Sequence, residues 1–229
     1  MTQDLDKLRR QSLRGLAKFA LAMGIILFLP AWSLRFWQGW LYLAVFCGCC
    51  LATTLYFLKH DPKLVERRAA AGPGAEKEPT QKIIMTLTSV CFLLLLVIPA
   101  LDHHWHWSDV PVSLVLLSDA GFVLSFFLIT LVLRQNSYAA STIQVEAHQP
   151  VVSTGAYALV RHPMYAAALP MFIFTPLALG SYWGLLVIVA MMPALIWRLL
   201  DEERYLTRNL PGYAEYCART RYRLIPLVW

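Results

Sequence analysis

Leu16 to Trp32 reads LAKFALAMGIILFLPAW, and shortly after it Phe36 to Leu58 reads FWQGWLYLAVFCGCCLATTLYFL. Each run has about the length that crosses a bilayer core as a helix. Only Ser33, Leu34 and Arg35 separate them, so the pair forms an antiparallel helical hairpin. Outward from this hairpin, Ile83 to Leu101 and Val110 to Leu133 read as a third and a fourth span. Met164 to Leu179 and Tyr182 to Leu200 form a last pair that reverses at Gly180-Ser181. Pro170, Pro176 and Pro193 interrupt that pair, and each removes a backbone donor, so a short, bent hairpin is expected. The fold class is all-α: a polytopic transmembrane bundle of about six spans, the last two a kinked hairpin, followed by a cytosolic helix over Asp201 to Leu210 and a basic tail. Residues 1–135 form a four-span body and residues 136–229 a second region that holds most of the candidate chemistry. Lys59 to Lys82, with Gly72-Pro73-Gly74, is too polar and broken to cross and is expected as a surface loop.

Composition agrees. The chain has 229 residues, 58% of them hydrophobic, and a mean hydropathy of +0.53, above what a soluble domain of this size carries. Five cysteines, three of them clustered at Cys47, Cys49 and Cys50, show neither a disulfide framework nor zinc spacing and read as small apolar packing residues. Met1 to Lys18 is polar, mixes both charge signs and lacks a small-residue cleavage site, unlike a removed leader.

A net charge of +6 would suit a polyanion partner if it were gathered on a soluble domain. Here it lies in short segments flanking the spans, among them Lys7 and Arg14, Lys59, Arg67, Arg68 and Lys77, Arg134 and Arg161, and Arg204 to Arg223. With both termini in the cytosol, every Lys and Arg except Arg35 falls on the cytosolic side, as the positive-inside rule requires. Nucleic acid is therefore not the expected partner.

Gly155-Ala156-Tyr157-Ala158-Leu159-Val160-Arg161-His162-Pro163-Met164-Tyr165 is a polar knot between two apolar runs, and this topology puts it on the cytosolic side. Gly155 permits a turn with positive φ. Pro163 extends His162 and suits the first turn of the next helix. That helix start, with free N–H groups, a positive dipole end and Arg161 beside it, is suited to a small anion. A second polar group, Arg198, Asp201, Glu202 and Glu203, ends the sixth span. Charge at such a depth is costly, and two glutamates at a helix C-terminal end oppose its dipole. Arg198 and Glu202, four residues apart, share a helix face and are expected to pair or to flank a zwitterion together. Because the last hairpin brings the chain back, the two groups should make one pocket.

Two other groups invite attention. Asp102, His103, His104, His106 and Asp109 look like a metal cluster but sit in an outer loop beside Trp105 and Trp107, where interfacial aromatics are ordinary; no metal is expected. Asp119, inside the fourth span, is either a functional group or a hydrogen-bonded structural one.

In order, Gly155-x-Tyr157-x-x-Val160-Arg161-His162-Pro163-x-Tyr165, Glu202-Glu203-x-x-Leu206, Gly212-Tyr213-x-x-Tyr216 and Arg223-Leu224-Ile225-Pro226 resemble the isoprenylcysteine carboxyl methyltransferase family and its phospholipid methyltransferase relatives. The resemblance runs from about Asn136 to the C-terminus. It implies an integral membrane enzyme using S-adenosylmethionine as cofactor, with Gln144, Gln149, Pro150, Val151, Val152, Tyr157, His162, Pro163, Met164, Tyr165 and Glu202 around that cofactor. It also implies that Arg198 holds the substrate at the catalytic point. The segment containing His148 is one residue longer than in the eukaryotic members. The implied acceptor is lipophilic, and carboxyl O-methylation of an isoprenylcysteine-like molecule is the first reading. A phosphatidylethanolamine amine is the alternative nucleophile. Sterol-type reductases, which use NADPH, share a similar Arg-His-Pro-x-Tyr stretch but are longer. A membrane scaffold would bind neither cofactor.

Overall fold

A computed structural model describes residues 2–69, 71–76, 78–146 and 148–229. Lys77, one of the loop cations, lies outside them. Among the described residues the regular structure is entirely helical: α1 (Thr2–Ala31), α2 (Trp37–His60), α3 (Pro62–Ala69), α4 (Pro79–Trp105), α5 (Val112–Gln135), α6 (Ala156–Leu159), α7 (Pro163–Ala178), α8 (Gly184–Asn209) and α9 (Tyr213–Arg219), with a 3₁₀ turn at Pro73–Ala75. Five helices, all but α3, α6, α7 and α9, are long and apolar enough to cross a membrane. The sixth apolar helix, α7, has 16 residues and spans only about 24 Å, short of a hydrocarbon core of about 30 Å.

The first hairpin forms as read. α1 packs on α2 and α4, α5 lies along α7, and α4 along α8. The main core joins Met23 and Leu27 of α1, Tyr42 and Phe46 of α2, Leu96 and Ala100 of α4, and Phe122 of α5. Lipid is as apolar as these side chains, so close fit and buried hydrogen bonds hold such helices together. Tyr42 and Thr175 share a hydroxyl contact of 3.1 Å that ties α2 to α7. At Gly121 a Cβ would stand 2.5 Å from the Phe174 ring, so any larger residue there would force that ring to move.

Asp102 closes the opposite end. It is buried and accepts from Ser108 N at 2.7 Å, Ser108 Oγ at 2.6 Å and Ser181 Oγ at 2.5 Å. One carboxylate thus fastens the ends of α4 and α5 to the α7–α8 turn. The neighbouring imidazoles stack outward, His103 on Phe36 and His104 against Trp32. All five cysteines are free, and Cys49 and Cys50 pack against the main core.

Two expectations are corrected, and the N-terminal segment, given no secondary structure from sequence, gains one. The helix over Asp201 to Leu210 is not a separate element, because α8 runs unbroken from Gly184 to Asn209 and carries its polar end beyond the apolar stretch. The N-terminal polar segment is likewise helical and continuous with the first span. The connection Lys59 to Lys82 is not simply a surface loop. Asp61 caps α3 by accepting from Leu64 N at 3.1 Å, and Leu64, Glu76 and Gln81 are buried.

Candidate active site

The knot and the end of α8 meet as the returning hairpin requires. Gly155 has φ +61°, and a Cβ there would collide with the Gln135 side chain, whose Oε1 accepts from Ala156 N at 2.8 Å. That contact sets α6 against the end of α5. His162 is the N-cap of α7 and Pro163 its first residue. The backbone N–H groups of Arg161 and His162 donate to the carbonyls of Tyr222 and Arg223, both at 2.9 Å, so the C-terminal tail is stitched to the knot.

Two cavities open where these elements meet. The first encloses about 810 Å³ of empty space, counting its mouth. Its wall includes Gln144, Gln149, Pro150, Val151, Val152, Tyr157, His162, Pro163, Met164, Tyr165 and Glu202, all eleven residues implied as cofactor neighbours, together with Asn136, Leu206, Tyr213 and Tyr216. The second, about 1300 Å³ on the same measure, is walled by Met85, Phe92, Ile129, Met171, Phe172, Met191 and Leu195, with Arg68, Ser141 and Arg198 at its polar end. Ala140, Thr142, Ile143, Met164, Tyr165 and Glu202 line both, so they form the partition between a cleft of mixed polarity and a largely apolar chamber.

The partition is a hydrogen-bonded chain. Tyr165 donates its hydroxyl to Glu202 Oε2 at 2.8 Å and accepts from Arg198 Nε at 3.0 Å. Arg198 and Glu202 therefore communicate through Tyr165 instead of pairing directly. The ionic partner of Arg198 is Glu76, at 3.0 Å, with both side chains almost fully buried. Arg198 Nη1 donates to Gln81 Oε1 at 2.9 Å, and Gln81 Nε2 in turn donates to Asp201. Glu76 also accepts from Ile143 N at 3.2 Å. The segment ahead of α4 thus supplies the charge that lets an arginine sit inside the bundle.

Glu203, one residue on, faces the other way. It is buried and bonds to Arg161 Nη1 at 3.1 Å and Arg223 Nε at 2.9 Å, and its Oε1 stands 3.4 Å from His162 Nε2. Arg161 also donates to the carbonyls of Thr220 and Cys217 at 2.7 and 2.9 Å. Arg161 borders the cleft while its Nε, Nη1 and Nη2 each donate to Glu203 or to the tail.

One buried polar atom on the cleft wall, Tyr213 Oη, has no hydrogen-bond partner among the described residues. A buried group of this kind costs about 1–3 kcal/mol unless something pairs with it. Tyr157 accepts from Asn136 Nδ2 at 3.2 Å, and its carbonyl accepts from the Tyr216 hydroxyl at 2.8 Å. Burial raises the Tyr157 phenol pKa and pushes that of Tyr216 up to about 12. Both stay neutral and serve as fixed walls and donors. Asp119 lines neither cavity. It is buried in α5 with both carboxyl oxygens unpaired among the described residues.

Sequence reasoning missed Glu76, Gln81 and Arg68. A buried cation at position 198 signals that a counter-charge must exist, but nothing local says that it comes from the loop ahead of α4.

The phospholipid methyltransferase family model matches residues 114–212, from the start of α5 to the residue before α9. That span contains the knot, α7 and α8, and bears out the family resemblance read from the motifs. A comparison with curated proteins gave no match. The matched stretch is similar to phospholipid methyltransferases and lies in a chain whose described residues include five helices long and apolar enough to cross a membrane.

Proposed function

We propose that this chain transfers a methyl group from S-adenosylmethionine to a lipophilic acceptor. The observation that carries the reading is the pair of cavities, one of mixed polarity and one largely apolar, whose common wall includes Met164, Tyr165 and Glu202 beside the segment holding Ala140, Thr142 and Ile143. A water-soluble cofactor and a lipid-like acceptor need separate approaches and one meeting point. The fit to the cofactor rests on the cleft itself. Glu202 offers a carboxylate to its positive end, Tyr213 Oη is a buried hydroxyl without a hydrogen-bond partner among the described residues, and Tyr157 and Val151 offer flat and apolar surface to a purine. When bound, S-adenosylmethionine supplies an electrophilic methyl on a sulfonium.

The residues then have distinct tasks. Glu202 fixes the cationic end, and Tyr165, bonded to both Glu202 and Arg198, couples that end to the acceptor chamber. Arg198 is the catalytic, substrate-holding residue, placing the acceptor's polar head by a guanidinium that Glu76 and Gln81 keep in one orientation. A carboxylate nucleophile arrives ionised and needs no base, so alignment and exclusion of water supply most of the acceleration. Carboxyl O-methylation of an isoprenylcysteine-like acceptor is accordingly the first choice. The description of the matching family favours a second, a phospholipid amine, which must lose a proton before attack.

The direct test is binding of radiolabelled S-adenosylmethionine and of NADPH to the purified chain. Saturable binding of the first alone is expected. Binding of NADPH alone would make the chain a reductase, and binding of neither a scaffold.

The reading also needs the cleft in the cytosol, where the cofactor is. Charge supports this, since all cations but Arg35 lie on one side in that orientation. A reporter fused after Trp229 is expected to be shielded in intact cells, and labelling from outside would reverse the topology.

A further inference from the structure

Two adjacent arginines on α3 have opposite fates. Arg67 is satisfied: Nε and Nη2 reach the two oxygens of Glu146 at 2.6 and 2.8 Å, and Nη1 reaches the Ser137 carbonyl at 2.7 Å. Arg68 has no carboxylate within ion-pair range among the described residues. Its Nη1 donates to the Ala139 carbonyl at 3.1 Å and lies 3.8 Å from Met164 Sδ, which places it beside the partition of the two cavities. It lines the polar end of the apolar chamber. Burial is the main influence on its guanidinium, and it works against the charge. The chamber's other cation, Arg198, is offset by Glu76. A partly buried cation without a counter-charge favours an anionic ligand.

We propose that Arg68 is the specificity residue of the acceptor chamber and selects a lipophilic molecule whose head group carries an anionic oxygen, a carboxylate or a phosphodiester. This deepens the proposed function and rests on its assignment of the apolar chamber to the acceptor. Arg198 positions the reacting end, and Arg68 sets the preference for charge. Of the acceptor's two possible anions, a carboxylate is itself the nucleophile and a phosphodiester is a handle beside an amine, so the same guanidinium serves either chemistry.

The test is direct binding to the full chain in a neutral maltoside detergent, using radiolabelled oleate, monohexadecyl phosphate and oleyl alcohol. The natural chain is expected to bind one or both anions at least tenfold more tightly than the alcohol. Preference for oleate alone points to a carboxylate acceptor, and preference for the phosphate alone to a phospholipid. Arg68→Gln should shrink the anion preference to within about threefold, and Arg68→Lys should retain part of it because charge survives without the planar fork. Arg68 also borders a groove against α1, so Met171→Trp, which fills only the chamber, should abolish binding. Thermal unfolding checks that each variant is folded. Anion preference that persists in Arg68→Gln, or binding that survives Met171→Trp, overturns the proposal. The readout is independent of methyl transfer, so loss of S-adenosylmethionine binding would remove the proposed function without touching this result.

Discussion

Glu202→Gln is expected to lower affinity for S-adenosylhomocysteine about 10- to 100-fold while leaving stability nearly unchanged, and Glu203→Gln is expected to do the reverse. The magnitude for Glu202 follows from losing a charge-assisted contact worth about 1.5–3 kcal/mol in a partly desolvated cleft. Among the described residues the carboxylate takes one hydrogen bond, from Tyr165, so its removal disturbs little of the fold. Glu203 is a hub. Its neutralisation leaves Arg161 and Arg223 beside each other with His162 near, and releases the tail that both arginine side chains help hold. Breaking a buried pair costs about 3–5 kcal/mol. With Arg223 a third exposed, a loss of about 2–4 kcal/mol is expected. Calorimetric titration with S-adenosylhomocysteine, paired with thermal unfolding of the same preparations, checks both. Equal affinity losses, or a loss confined to Glu203→Gln, would remove Glu202 from the cofactor's site.

The contrast between these neighbours was legible in the sequence, because successive residues on a helix are rotated by about 100°. The eleven cleft residues were named only through the family resemblance of the motifs. Most of them come from two contiguous stretches, and Gly155, Pro163 and the returning hairpin bring those stretches to Glu202 by local geometry. What stayed hidden depends on contacts between distant parts of the chain. The i,i+4 spacing of Arg198 and Glu202 left open a direct pair or a shared zwitterion site, yet a tyrosine 37 residues from Glu202 stands between them, and the counter-charge of Arg198 lies 122 residues away. Helix periodicity carries no information about such partners. The unbroken α8 was obscured differently. Hydropathy falls sharply after Leu200, but helix propensity does not, since Asp201 to Asn209 contains no glycine or proline. For Arg161 the motif names its neighbours and not its bonds to Glu203 and the tail.

Arg198→Ala is expected to reduce turnover at least 100-fold, a loss of the size that follows from misplacing a reactant by about 1 Å, with S-adenosylhomocysteine affinity changed only a few-fold. The same substitution should also destabilise the chain, because Glu76 would be left buried and unpaired, at a cost of about 3–5 kcal/mol. Low turnover in that variant alone would thus confuse a chemical role with a structural one. The double variant Glu76→Gln, Arg198→Met separates them. It removes both charges, keeps the volume, and leaves an apolar side chain against Leu195 and Met191, so stability should recover by most of the loss. Turnover should not recover, because the guanidinium that places the acceptor is still missing. Arg198→Lys keeps the charge without the fork and should restore only part of the rate. If the double variant regains turnover along with stability, Arg198 is a structural partner of Glu76. If Arg198→Ala loses cofactor affinity as steeply as Glu202→Gln, its role runs through Tyr165 to the cofactor.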